Sequence, residues 1–195
     1  MEGEFEVVTF ALEDDKFTYD TCGNEHLVLM TENGRVYTYG HGSKGQLGHG
    51  NVDNELEEAK LVEALDGNRI VKVAAGGWHS MAIAETGDLY AFGWNESGQL
   101  GFSKSQLPLT ATPLLVEACD DVNWSVVSCG SSHTMEVTSD GQVFGFGWNK
   151  YGQLGVSSKD TPSADKPTQV QLDGDKKAVN VSCKYWSTII ECGKP

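Results

Sequence analysis

The chain has 195 residues, 39% of them hydrophobic, and a formal charge of −14, with 14 Lys and Arg against 28 Asp and Glu. That apolar share suits one compact core, and no stretch reaches the roughly 20 apolar residues that a membrane-spanning helix needs. The shortage of Lys and Arg disfavours direct duplex-DNA binding, which relies on neutralising phosphates; the acidic excess suits a solvated surface or attraction to a basic partner.

In chain order, the N-terminus (MEGEFEVVTFALEDD) carries Glu2, Glu4 and Glu6 where a secretory signal would carry positive charge and then an apolar run, which predicts an intracellular chain. Within it, Phe5–Leu12 (FEVVTFAL) is expected to supply an extra strand. Three mutually similar segments follow: CGNEHLVLMTENGRVYTYGHGSKGQLG (Cys22–Gly48), AGGWHSMAIAETGDLYAFGWNESGQLG (Ala75–Gly101) and CGSSHTMEVTSDGQVFGFGWNKYGQLG (Cys129–Gly155). A fourth begins at Cys183 as CKYWSTIIECG. The starts at 22, 75, 129 and 183 are 53, 54 and 54 residues apart. Within the units, Gly23, Gly34 and Gly45 are spaced by 11, as are Gly76, Gly87 and Gly98, and Gly130, Gly141 and Gly152. Between the units, Val62, Val116 and Val170 hold the same phase. A fixed period of this length is the mark of a stacked-repeat architecture. The repeats fall at 22–74, 75–128, 129–182 and, in part, 183–195, within one domain over 1–195.

Each unit predicts three or four short antiparallel strands. In the second, Ile70–Ala74, His79–Ala84 and Leu89–Phe92 have β-rich or period-2 character, with a turn at Glu85–Asp88. The corresponding turns Asn33-Gly34 and Asp140-Gly141 suit tight hairpins, whose central residues take positive φ. Each hairpin leads into a loop ending Gly-Gln-Leu-Gly, closed by Gly48, Gly101 or Gly155, and Leu47, Leu100 and Leu154 are expected to plug the space between sheets. A sheet this small cannot cover both its faces alone, so the units are expected to stack as blades. Cys22, Cys129 and Cys183 share their position with Ala75, which marks a small buried site where the thiols pack rather than react. Five cysteines in all, with Cys119 and Cys192, form neither an even disulfide framework nor a CxxC pair, so free thiols in a reducing compartment and no zinc site are expected. The Asn-x-Ser triplets at Asn95, Asn123 and Asn180 read as coincidence.

The pattern Cys/Ala-Gly-x-x-His, a hairpin Gly eleven residues on, then Tyr/Phe-x-x-Gly and Gly-Gln-Leu-Gly resembles the regulator of chromosome condensation repeat, from Cys22 to Gly193. The resemblance implies an all-β propeller, usually seven-bladed, of which this chain holds three full blades and part of a fourth, as a fragment or short form. AAGGWHSMAIAETGDLYAFGWNESGQLG and FGWNKYGQLG are similar to the small RCC-domain members of that family. That likeness implies a nuclear or chromosomal location and a protein partner, a JmjC-domain oxygenase or a histone-containing complex. It also brings two rival functions: nucleotide exchange on a Ran-like GTPase, and ultraviolet sensing, since a plant ultraviolet-B photoreceptor shares the fold. The second is disfavoured by a single Gly77-Trp78-His79 and by the presence of only Arg35 and Arg69 as arginines. The fourth unit departs from the pattern, with Lys184 for Gly and Ser187 for His. An arc left open exposes sheet edges and predicts instability or self-association.

Catalytic readings find little support. His26, His79 and His133 occupy equivalent places in successive blades; stacked sheets lie about 10 Å apart, whereas zinc bonds measure about 2.0–2.1 Å, so one ion does not reach all three. They are read as buried imidazoles bonding to backbone within their own blades. Gly40–Gly45 (GHGSKG) matches GxGxxG but lacks the following helix of a dinucleotide site. The carboxylates of Asp53–Glu58 lie in an acidic loop with no pocket implied. No catalytic residue, metal or cofactor is assigned, and the chain is expected not to be an enzyme. The candidate partner-binding residues are Trp78, Trp94 and Trp148 with Glu96, Lys150 and Tyr151, on loops at one face of the propeller; the alternative is that these rings pack between blades.

Overall fold

The computed structural model describes residue 12 and residues 15–52, 55–117 and 122–193. The strand expected over Phe5–Leu12 thus lies outside the described residues, save its last position, as does Cys119. Apart from one 3-10 turn at Glu63–Leu65, the described residues form strands and loops. The alternation of apolar and small side chains builds three meanders and a hairpin. The first runs β1 (Phe17–Cys22), β2 (His26–Thr31), β3 (Val36–His41) and β4 (Glu55–Leu61); the second β5 (Ile70–Ala75), β6 (His79–Ala84), β7 (Leu89–Trp94) and β8 (Leu109–Leu115). The third runs β9 (Trp124–Cys129), β10 (His133–Thr138), β11 (Val143–Trp148) and β12 (Ser163–Val170), and a fourth, two-stranded sheet holds β13 (Ala178–Lys184) and β14 (Ser187–Cys192).

All pairings are antiparallel and their register repeats: His26 faces Gly40, His79 faces Gly93 and His133 faces Gly147. At those same glycines the ladder to the outermost strand slips by two residues: Thr38 pairs with Lys60 but Gly40 with Leu56, and Gly93 and Gly147 repeat the shift. All three glycines have positive φ, which glycine adopts without steric cost, and Gly93 has φ 110° with the Trp78 carbonyl 2.5 Å from where a Cβ would stand.

The sheets stack as blades of an open arc. β5 packs on β1 and β2, β9 on β5 and β6, and β13 on β9 and β10, so the first strand of every sheet covers the flank of the one before. The core lies in these seams: Phe92, Phe146, Met81, Met135 and the loop leucines Leu47, Leu100 and Leu154 are at most 1% exposed. Burying each stabilises the stack by about 1.5–3 kcal/mol relative to exposure. Cys22, Ala75 and Cys129 end the first strands β1, β5 and β9, so a sheet begins one strand ahead of the repeat as the sequence marks it. Of the shared-position thiols, Cys129 is buried and Cys183 half-buried, but Cys22 is exposed, which corrects the expectation of a buried site there: no sheet among the described residues packs ahead of β1. Burial pushes the Cys129 thiol well above its usual range and that of Cys183 to about 11.

Candidate partner-binding face

The repeated residues are consumed by the seams. His26 Nε2 lies 2.9 Å from Ser80 Oγ, His79 Nε2 3.0 Å from Thr134 Oγ1, and His133 Nε2 3.1 Å from Thr188 Oγ1. Each bond crosses from one blade to the next, which corrects the expectation of backbone partners within a blade. The hydroxyls donate to the main-chain carbonyls of Gln46, Gln99 and Gln153, at 2.9, 2.8 and 2.7 Å. A hydroxyl has one proton, so each oxygen accepts from its imidazole and the ring is held as the Nε2–H tautomer. Nδ1 is then a buried lone pair without a partner among the described residues. Desolvation accordingly lowers the pKa of His26 to about 4, of His79 to about 3 and of His133 to about 4. The three imidazoles sit in three different seams, and among the described residues no three His, Cys, Asp or Glu side chains converge.

The other repeated positions serve the same contacts. Gly34, Gly87 and Gly141 accept the first-strand amides of Ile70, Trp124 and Ala178 from the next blade, at 3.0, 3.2 and 2.9 Å. Two contributors escaped the sequence reading. The linking hydroxyls Ser80, Thr134 and Thr188 stand one residue after the pattern position in three units, but Leu27 in the first hides the rule. Asn95 and Asn149 clamp their loops: each amide donates to two loop carbonyls, and each Oδ1 accepts from Leu100 or Leu154. Asn95 is wholly buried, so its Asn-x-Ser triplet is a structural coincidence. Gly40–Gly45 leads through a loop into strand β4, as expected for a false dinucleotide match.

The tryptophans behave differently. Trp78, Trp94, Trp148 and Trp186 lie where β5–β6, β7–β8, β11–β12 and β13–β14 connect, all at one end of the strands, whereas Trp124 starts β9 at the other end and is buried. Trp78, Trp94 and Trp148 are half-buried, between the packed and the exposed readings. Trp78 stands edge-on to Trp94, centroids 5.7 Å apart, and donates its indole N–H to Glu25 Oε2 at 3.1 Å across the first seam. Trp148 stands edge-on to Tyr151 at 5.2 Å and to Trp186 at 4.8 Å. Lys44 Nζ sits 6.0 Å from the Trp94 ring and Lys150 Nζ 5.9 Å from that of Tyr151, within cation–π range. Tyr151 is 68% and Trp186 46% exposed. Two aromatic groups result, Trp78 with Trp94 and Trp148 with Tyr151 and Trp186; Lys150 joins the second, while Glu96 is exposed with no hydrogen bond or ion pair among the described residues. Trp186 was missed because its unit departs from the pattern, yet it stands two periods after Trp78. Beside the row, Asn24, Gly77, Ser131 and Tyr185 help line an open depression of about 370 Å³ near the arc's inner strands.

Radially stacked meanders joined by glycine-directed seams define a β-propeller protein, present here as an arc. The regulator of chromosome condensation (RCC1) repeat matches residues 33–83, 86–137 and 140–190, and a second model of the same repeat matches 70–99 and 124–153. The chain belongs to the RCC1-repeat family. It is 37% identical over 204 residues to RCC1 domain-containing protein 1 of Mus musculus, covering 86% of this chain and 53% of that protein. Human WBSCR16 superposes with a TM-score of 0.83 at 26% identity, over 95% of this chain and 48% of its own. Prp20p of Saccharomyces cerevisiae shares the fold, with a TM-score of 0.78 at 21% identity over 92% of this chain and 44% of its own. The chain thus spans about half the length of the relatives it matches.

Proposed function

We propose that the chain is a non-catalytic scaffold of the nucleus and chromatin that engages a protein partner, a JmjC-domain oxygenase or a histone-containing complex, through the loop face. The supporting observation is one of elimination. The repeated His and Leu side chains and the main chain of the repeated Gly and Gln are spent on seams, whereas the loop aromatics differ between units and keep part of their surface in water. Half-exposed Trp and Tyr on rigid loops are the residue types that dominate binding hot spots. Prp20p, described as binding Gsp1p and histones, shares the fold and so keeps exchange on a Ran-like GTPase as the rival reading.

The test immobilises the chain and measures its affinity for a recombinant JmjC oxygenase domain and for core histones. One of these binds, and Trp94→Ala and Trp148→Ala each weaken it by about tenfold or more, as hot-spot truncations do, with the cooperative melt retained. Accelerated nucleotide release from a Ran-like GTPase would replace this reading with the rival, and undiminished binding by both variants would remove the loop face from it.

A further inference from the structure

We infer that the loop face takes an uncharged, proline-rich segment in the polyproline II conformation, laid across the blades over the tryptophan row. The inference deepens the proposed function and rests on the loop face being the binding surface.

Charge decides the first part. The acidic excess of the chain is not on this face. Its connections carry Lys44, Lys104, Lys150 and Lys159 against Glu25, Asp53, Glu96 and Asp160, a balance of charge. The opposite connections hold much of the surplus, Glu32, Glu63, Asp66, Glu85, Asp88 and Asp140 among them. A basic segment gains no net attraction at the rings, and the places a cation would take over Trp94 and Tyr151 already hold the chain's own Lys44 and Lys150. An uncharged ligand meets no such opposition.

Spacing and donors decide the rest. Trp94 and Trp148 end the third strands of successive blades, β7 and β11, and so stand one blade apart. Stacked sheets lie about 10 Å apart, and polyproline II advances roughly 9 Å in each three-residue turn. A Pro-x-x-Pro segment therefore presents one turn to each blade. Its carbonyls have no internal partners, and flat rings carrying an N–H are the groups that serve them. The indole of Trp78 is occupied by Glu25, but those of Trp94, Trp148 and Trp186 make no hydrogen bond within the described residues. The main chain that carries the rings is held in advance, with Trp94 N donating to Trp78 O and Trp148 N to Ser132 O, both at 2.8 Å, and the rings themselves stand edge-on to Trp78 and to Tyr151 and Trp186. A stiff ligand on a pre-formed surface loses little conformational freedom on binding.

The experiment titrates the chain with a fluorescein-labelled decaproline peptide, and separately with a Lys-Gly repeat of equal length. Decaproline binds saturably, with an affinity nearly constant between about 50 and 500 mM salt because no charges are paired. Trp94→Ala and Trp148→Ala each weaken it about tenfold, and Trp148→Phe, which keeps a ring but loses the N–H, weakens it about threefold. Absence of saturable decaproline binding, equal binding by Trp148→Ala, or tighter and salt-sensitive binding of the Lys-Gly peptide would each overturn the inference. If decaproline fails while oxygenase or histone binding still depends on Trp148, the ligand chemistry falls and the loop face stands. If neither depends on Trp148, the loop face falls too.

Discussion

Glu136 is a carboxyl group enclosed in the seam between the second and third blades. It lies two residues after Thr134, hence on the same side of β10, the side that meets His79 and Gln99. It has no exposure, and neither carboxyl oxygen has a hydrogen-bond partner among the described residues. The equivalent positions are Leu29, Ala82 and Ile190. Desolvation raises its pKa well above 4.5, with the buried, un-ionised thiol of Cys129 nearby. The folded chain therefore keeps a proton that the unfolded chain releases, so Glu136 burdens folding increasingly as pH rises above about 4.5. Glu136→Leu is expected to stabilise the protein by about 1–3 kcal/mol near neutral pH, the cost of a buried unsatisfied polar group. Thermal melts at pH 4.5 and pH 8 check this, since the gain must be larger at the higher pH. At Gly76 the demand is steric. A Cβ there would stand 2.1 Å from the His79 ring and 2.6 Å from the Gly130 carbonyl of the next blade. Gly76→Ala should lower stability by about 1–3 kcal/mol or more in urea denaturation, because the obstructing atom is backbone.

Strands were the most legible elements. Period-2 alternation at His79–Ala84 and the Asn-Gly and Asp-Gly turns are local signals, and β2, β6 and β10 with their hairpins fall on them. The seams were legible only as a requirement, because a bond such as His79 to Thr134 joins residues 55 apart and leaves no trace inside one unit. For the same reason the repeat alone points each histidine to partners in its own blade, whereas the structure puts them in the next. The corrected seam carries a pH dependence of its own. His26, His79 and His133 titrate at about 4, 3 and 4 when folded, against 6.5 as the ordinary value. Each therefore contributes stability that is complete above about pH 6.5 and is lost as pH falls through its folded pKa. The melting temperature should drop steeply between pH 6.5 and pH 4, and His79→Gln, which removes the titrating group while keeping an N–H donor, should make that drop shallower. An equal slope in the variant would show that the seam imidazoles do not govern acid unfolding.

At the scale of the whole molecule, the 53- and 54-residue period made the stack legible in advance, but not the division of labour between its two ends. That division depends on which side chains the seams absorb, and so on contacts between units. The arc's flanks are open: Ile189 is 64%, Val179 59% and Tyr19 49% exposed, on the strands β14, β13 and β1. Unpaired edges with apolar side chains promote association. The isolated 195-residue chain is accordingly expected to sediment as concentration-dependent oligomers, reduced by Ile189→Lys; a monodisperse monomer with a sharp melt would contradict this. The same openness appears in three glycines spelled alike. A Cβ on Gly45 would meet Thr110 O at 2.7 Å, and one on Gly98 would meet Ala164 O at 2.6 Å, both in the neighbouring outer strand; at Gly152 nothing lies within 4 Å. All three have positive φ, which asparagine tolerates better than other side chains. Gly152→Asn should thus leave the melt nearly intact while Gly98→Asn should not. One tetrapeptide obeys two steric laws, and a substitution scan would read out, letter by identical letter, which turns of the polypeptide have a neighbour leaning on them.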